Sequence, residues 1–157
     1  MLNKTRLVVA LLAAGGATAG VLLASTGGAS AGPGITTLTY SIKDTSNVFT
    51  ETGKSGIVPG AEIAIAGNVY ASSTRVGSYI VNCTVDIGTE LNCRGTSWIG
   101  SGVNQLTFAG YLNAGSVKNV VTVTGGSGRY FGMTGQLFID FTNSNQSAAN
   151  ITFQLES

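Results

Sequence analysis

The chain has no histidine. That removes the side chain whose ordinary pKa lies closest to neutrality, so proton transfer near pH 7 would fall to a carboxylate with a raised pKa or to a tyrosine. It also removes the commonest nitrogen ligand for zinc and the usual base for a serine or cysteine nucleophile. Charge is scarce, at 10% of the 157 residues. Once Lys4 and Arg6 are set aside, six basic residues face seven acidic ones, scattered along the chain. That pattern offers no footprint for nucleic acid and no basic cluster to hold the chain on an anionic membrane. No apolar run after residue 31 is long enough to span a bilayer as a helix, and no stretch keeps a helical period.

What is present begins with an export signal. Lys4 and Arg6 precede the apolar run Leu7–Ala14, and Ala29-Ser30-Ala31 supplies the small residues a signal peptidase pocket requires. The competing reading is a retained anchor, since the apolar stretch continues to Leu23. The alanine motif favours cleavage after Ala31. The expectation is therefore a secreted chain of two parts: a signal peptide at 1–31, removed on export, and a single domain at 32–157. After cleavage, no stable insertion into a membrane is expected.

An even pair of cysteines in an exported chain favours a disulfide. Cys83 and Cys93 lie in the arms of a hairpin centred near Gly88, a register that sets Cys83 opposite Cys93 and Val85 opposite Leu91. A metal site or catalytic thiol lacks any histidine to support it. No cofactor and no metal are expected.

The rest of the domain alternates apolar and polar residues with period two, as half-buried strands do. Leu38, Tyr40 and Ile42 share one parity; so do Tyr79, Val81, Cys83 and Val85; so do Leu137, Ile139 and Phe141; and so do Ile151, Phe153 and Leu155. About eight such runs, separated by glycine and Asn/Ser turns, imply an all-β sandwich or a closed barrel. Closure is favoured, because the final strand would otherwise present an apolar edge. Residues 46–60, marked by Gly53, Gly56, Pro59 and Gly60, read instead as an irregular loop with at most one short strand.

The distinctive segment is Val123-Thr124-Gly125-Gly126-Ser127-Gly128-Arg129-Tyr130-Phe131-Gly132-Met133-Thr134-Gly135. A glycine run can cradle phosphate where a strand passes into a helix. Here a strand follows, and no lysine takes the phosphate-loop position. The reading adopted is structural: Gly125, Gly126, Gly128, Gly132 and Gly135 carry the chain tightly across a barrel end, with Tyr130 inserted as an aromatic plug.

This segment resembles the Gly-Gly-Thr-Gly-x-Tyr/Phe-x-x-Ala-Arg-Gly signature of the allene oxide cyclase and dirigent-protein superfamily. Its flanks are similar to those of the exported bacterial branch: Gly53 and Gly56 before Pro59-Gly60, the Cys83 to Cys93 hairpin, and the closing Ile151-Thr152-Phe153-Gln154-Leu155. The resemblance covers roughly residues 36–155. It implies a single eight-stranded antiparallel β-barrel, a small hydrophobic ligand bound or steered in its interior, and a homo-oligomer, a trimer in the plant relatives. Met133-Thr134 stand where the signature has Ala-Arg, so no catalytic residue is carried over.

Among ionisable residues, Asp44, Glu62, Asp86 and Asp140 are candidates to line an interior, with Arg75, Arg94 and Arg129 to complement them. Each also reads as an ordinary solvated charge. Glu62 and Asp140 are singled out as candidate catalytic acids because both fall inside strand-like runs. Tyr40 and Tyr79 share parity with apolar faces and are expected in the core. Three functions remain open: a binder of a small apolar molecule, an isomerase or cyclase acting on one, and a structural barrel filled by its own side chains.

Overall fold

The computed structural model describes residues 34–50, 58–100 and 102–157. The leader assigned to 1–31, and Gly53 and Gly56, lie outside the described residues. The strands are β1 (Thr36–Thr50), β2 (Glu62–Ala71), β3 (Thr74–Val85), β4 (Glu90–Ile99), β5 (Gln105–Asn113), β6 (Lys118–Ser127), β7 (Thr134–Phe141) and β8 (Ala148–Glu156). Each pairs antiparallel with its sequence neighbour, and β8 pairs back onto β1, so the sheet closes into an eight-stranded barrel. Among the described residues the one other regular element is a 3₁₀ turn at Gly128–Tyr130.

Parity explains the closure. The apolar members of each alternating run turn inward and the threonines, serines and amides between them turn out. Leu106, Val123, Phe153 and Leu155 are fully enclosed. Burying side chains of this size contributes about 1.5–3 kcal/mol each. Pairing β8 with β1, from Thr36 opposite Leu155 to Lys43 opposite Ala148, also covers the edge that an open sheet would leave bare.

The β3–β4 hairpin has the expected register. Cys83 lies opposite Cys93 and Val85 opposite Leu91, Gly88 takes φ +63° in the turn, and the two cysteines form a disulfide.

Within the segment read as irregular, residues 46–50 are strand and belong to β1, which runs on past a bulge between Asp44 and Ser46. The extra residue shifts the alternation by one step and lets Ser46–Thr50 continue pairing with Glu62–Ala66.

The barrel has two rims. The upper rim gathers the start of β1, the turns β2–β3, β4–β5 and β6–β7, and the end of β8. The lower rim gathers the turns β3–β4, β5–β6 and β7–β8. At the lower rim Asn119 is a buried polar residue with its hydrogen bonds met locally. Its Oδ1 accepts from the Asn113 N–H at 2.8 Å, and its Nδ2 donates to the carbonyls of Asn113 and Ser116, each at 3.3 Å. The β5–β6 turn is thus pinned from inside.

Candidate functional site

Inward side chains fill most of the barrel but leave an internal cavity of about 50 Å³. Its wall includes Ile42, Tyr79, Val81, Ser97, Phe108 and Leu112. Two glycines make that packing possible. A Cβ on Gly67 would lie 2.5 Å from Cε1 of Tyr79 and 2.6 Å from its hydroxyl oxygen, and one on Gly95 would lie 2.5 Å from Cζ of Phe108. Each glycine is therefore a gap in one strand that the ring of another occupies.

The Tyr79 ring crosses Gly67 and its hydroxyl donates a hydrogen bond to Oδ1 of Asp44. Asp44 is half-buried. Burial pushes its carboxyl above the ordinary aspartate value of 3.8, and the bond from Tyr79 pulls it partly back. Burial, then the bond to Asp44 and its charge, pushes the Tyr79 phenol far above the tyrosine range. Tyr79 keeps its proton, and Asp44 is the group of the pair that titrates. One hydrogen bond thus connects an apolar cavity to a carboxyl that can accept a proton, or release one, closer to neutrality than an exposed aspartate does.

A second polar group closes the opposite end. Tyr130, buried by the 3₁₀ turn, accepts a hydrogen bond from the Arg129 guanidinium, which also lies 4.7 Å from the centre of its ring. Tyr40 packs beside it; burial first, then the neighbouring Tyr130, pushes its phenol up to about 12. Within the glycine segment, Gly125 and Gly126 still belong to β6, whereas Gly128, Gly132 and Gly135 have positive φ. Gly128, at φ +60°, also has Val103 O only 2.7 Å from where a Cβ would sit.

The other acids singled out from the sequence lie elsewhere. Glu62 and Asp140 are exposed on the outer face, with Asp140 3.8 Å from Lys118 Nζ. Each sits between inward-facing neighbours, Ala61 and Ile63 in one case and Ile139 and Phe141 in the other, so the pleat turns its carboxylate to solvent. Asp86 joins Glu90 and Tyr111 in an open groove on the lower rim. Arg75, Arg94 and Arg129 are exposed. Tyr40 and Tyr79 face inward as their parity indicates. Asp44 carries the same signal, since it continues Leu38, Tyr40 and Ile42 on one parity. Among the described residues, no three His, Cys, Asp or Glu are grouped to hold a metal ion.

Neither a protein-family model nor a curated protein matches the sequence. Solved structures do match the barrel. A pyocyanin demethylase superposes with a TM-score of 0.67 at 17% identity, over 76% of this chain and 99% of its own. The pterocarpan synthase dirigent protein PsPTS1 superposes with a TM-score of 0.62 at 18% identity, over 78% of this chain and 94% of its own. The chain has the dirigent-type barrel fold. An exo-specific intermolecular Diels–Alderase shares it, with a TM-score of 0.59 at 12% identity over 79% of this chain and 99% of its own. At these identities the likeness concerns the path of the chain, and the dirigent-type barrel is a scaffold whose chemistry depends on the residues placed inside it.

Proposed function

We propose that this dirigent-type barrel is a secreted binder that holds a small, mostly apolar molecule in its interior. The observation that carries the reading is the apolar cavity walled by Ile42, Val81, Phe108 and Leu112, with Ser97 and Tyr79, the latter bonded to Asp44, as the hydroxyl-bearing residues of its lining. Such a site excludes water and offers few hydrogen-bonding groups to orient a ligand. The named activities of the matching structures, a demethylase, a pterocarpan synthase and a Diels–Alderase, are all performed on small organic molecules, which supports the same reading. Any proton transfer would fall to Asp44, linked to the cavity through its hydrogen bond with the lining residue Tyr79, in place of the exposed Glu62 and Asp140. Secretion is supported by the leader-like residues 1–31 and by the disulfide, and amino-terminal sequencing should then begin at Gly32. Assembly into several copies, as the resemblance implies, belongs to the same proposal.

Cavity volume favours one rival. An apolar cavity of about 150 Å³ holds benzene, and this one is about 50 Å³. A ligand of that size must displace a side chain, whereas a barrel filled by its own residues needs none. Leu112 is the residue to move, since it lines both the cavity and the lower-rim groove. The test is saturable binding of benzene- and indole-sized probes to wild type, Leu112→Ala and Ser97→Leu. Binding that tightens in the first variant and disappears in the second supports an interior site. No saturable binding to wild type or Leu112→Ala leaves the filled barrel.

A further inference from the structure

Topology brings together on the upper rim residues that the sequence keeps far apart. Phe131 follows the 3₁₀ turn and is 85% exposed, Val103 sits in the β4–β5 turn at 67%, and Ile35 precedes β1 at 64%. Two of these tips are held firmly. Ser127 Oγ donates to the Val103 carbonyl at 2.8 Å, the Arg129 N–H donates to Asn104 Oδ1 at 3.0 Å, and the Phe131 N–H donates to the Gly128 carbonyl at 3.1 Å. An aromatic ring held out in water by a braced turn contributes nothing to the barrel core. The exposed Arg75 and Arg129, which form no cluster in the sequence, are brought by the closed barrel to the same rim, against one carboxylate among the described residues there, Glu156.

We propose that the upper rim docks peripherally on an anionic lipid surface, with Phe131, Val103 and Ile35 entering the headgroup region, Arg75 facing the phosphates, and Arg129 adding its charge from beside Tyr130. Apolar tips flanked by cations match such a surface, the apolar part supplying burial and the cations attraction. A protein partner fits less well. Three separate tips cannot bury the roughly 800 Å² per side of a standard protein interface. The lower rim shows the contrast. It also exposes Ile87 and Val117, but there Asp86, Glu90 and Asp140 outnumber Lys118, and anionic headgroups repel that excess of acid. The contact is reversible adsorption by loop tips, independent of whether the interior holds a ligand.

The test uses residues 32–157, which contain every described strand and the whole described core, in co-flotation with phosphatidylcholine vesicles with or without 30% phosphatidylglycerol (about one lipid in three). Wild type is expected on the anionic vesicles only, with binding that weakens as salt rises. Phe131→Ser should reduce partitioning roughly tenfold or more, Arg75→Gln about fivefold, and Ile87→Ser should leave it unchanged. Phe131 is exposed, so its variant should melt with wild type, and that measurement separates lost docking from lost folding. Absence of wild type from anionic vesicles, or equal losses in Phe131→Ser and Ile87→Ser, overturns the proposal. So does a Phe131-dependent self-association that persists without lipid, which would assign the rim to a protein interface.

Discussion

Tyr79→Phe tests the site from its most constrained contact. The ring can keep its place over Gly67, and only the hydroxyl that donates to Asp44 is lost. A hydrogen bond to a charged group contributes about 1.5–3 kcal/mol. Because solvent reaches the half-buried Asp44, the lower end applies, about 1.5 kcal/mol. For a domain of this size that lowers Tm by about 6 °C. The cost depends on pH with a definite sign. In wild type the folded Asp44 already titrates above 3.8, so it contributes stability that is present at acid pH and declines as pH rises through its folded value. Without the Tyr79 bond only burial acts on the carboxyl, its folded pKa rises further, and the loss extends closer to neutrality. Thermal melts should therefore show the full deficit at pH 8 and about half of it or less near pH 3.5, where the carboxyl is neutral in both proteins. Asp44→Asn is the control. Its amide oxygen still accepts from Tyr79 and cannot ionise, so it should flatten the pH dependence and match or exceed wild type at pH 8. A Tyr79→Phe deficit that is absent at pH 8, or larger at acid pH, would refute the reasoning.

The remaining predictions concern the frame and the outer acids. Gly128→Val places a β-branched residue at φ +60° with a carbonyl in its way. A cost of about 1–3 kcal/mol from backbone strain, with more from the clash, should appear in denaturant midpoints whether or not a ligand is present; an unchanged midpoint contradicts the structural role of the turn. Folded protein should show no alkylatable thiol, and replacing both Cys83 and Cys93 by alanine should cost about 2–3 kcal/mol, the value for so short a closed loop; thiols that label in the folded protein would remove the crosslink. Glu62→Gln and Asp140→Asn should each stay within about 0.5 kcal/mol of wild type and leave probe binding unaltered, because both carboxylates face solvent outside the barrel. Loss of binding in either would return that acid to the site.

The strand frame was legible because one physical rule, period-two alternation, governs nearly all of it. Tyr79-Val81-Cys83-Val85 and Leu137-Ile139-Phe141 face the core as written, and the hairpin register followed from its turn alone. The rule loses its phase at a bulge: beyond Asp44 the alternation slips by one residue, so 46–50 were not legible as a continuation of β1. It also explains the acids. Asp44 shares the parity of Tyr40 and Ile42, while Glu62 and Asp140 oppose the parity of their apolar neighbours, so position inside a strand was the weaker criterion and facing was the stronger. What no local rule supplies is the meeting of Asp44 with Tyr79 across Gly67. That depends on the stagger of three strands, and the glycine's purpose appears only once the ring above it is known. Cavity volume and the gathering of Ile35, Val103 and Phe131 on one rim are likewise properties of the closed barrel.

The central claim is that the interior holds a small molecule, and native mass spectrometry of the protein recovered from its producing cells tests it most directly. The account predicts a fixed mass above that of the polypeptide, released on denaturation, and missing when Ser97→Leu fills the cavity. The polypeptide mass alone, identical in wild type, Leu112→Ala and Ser97→Leu apart from the substitutions themselves, and unchanged after incubation with benzene or indole, would contradict it.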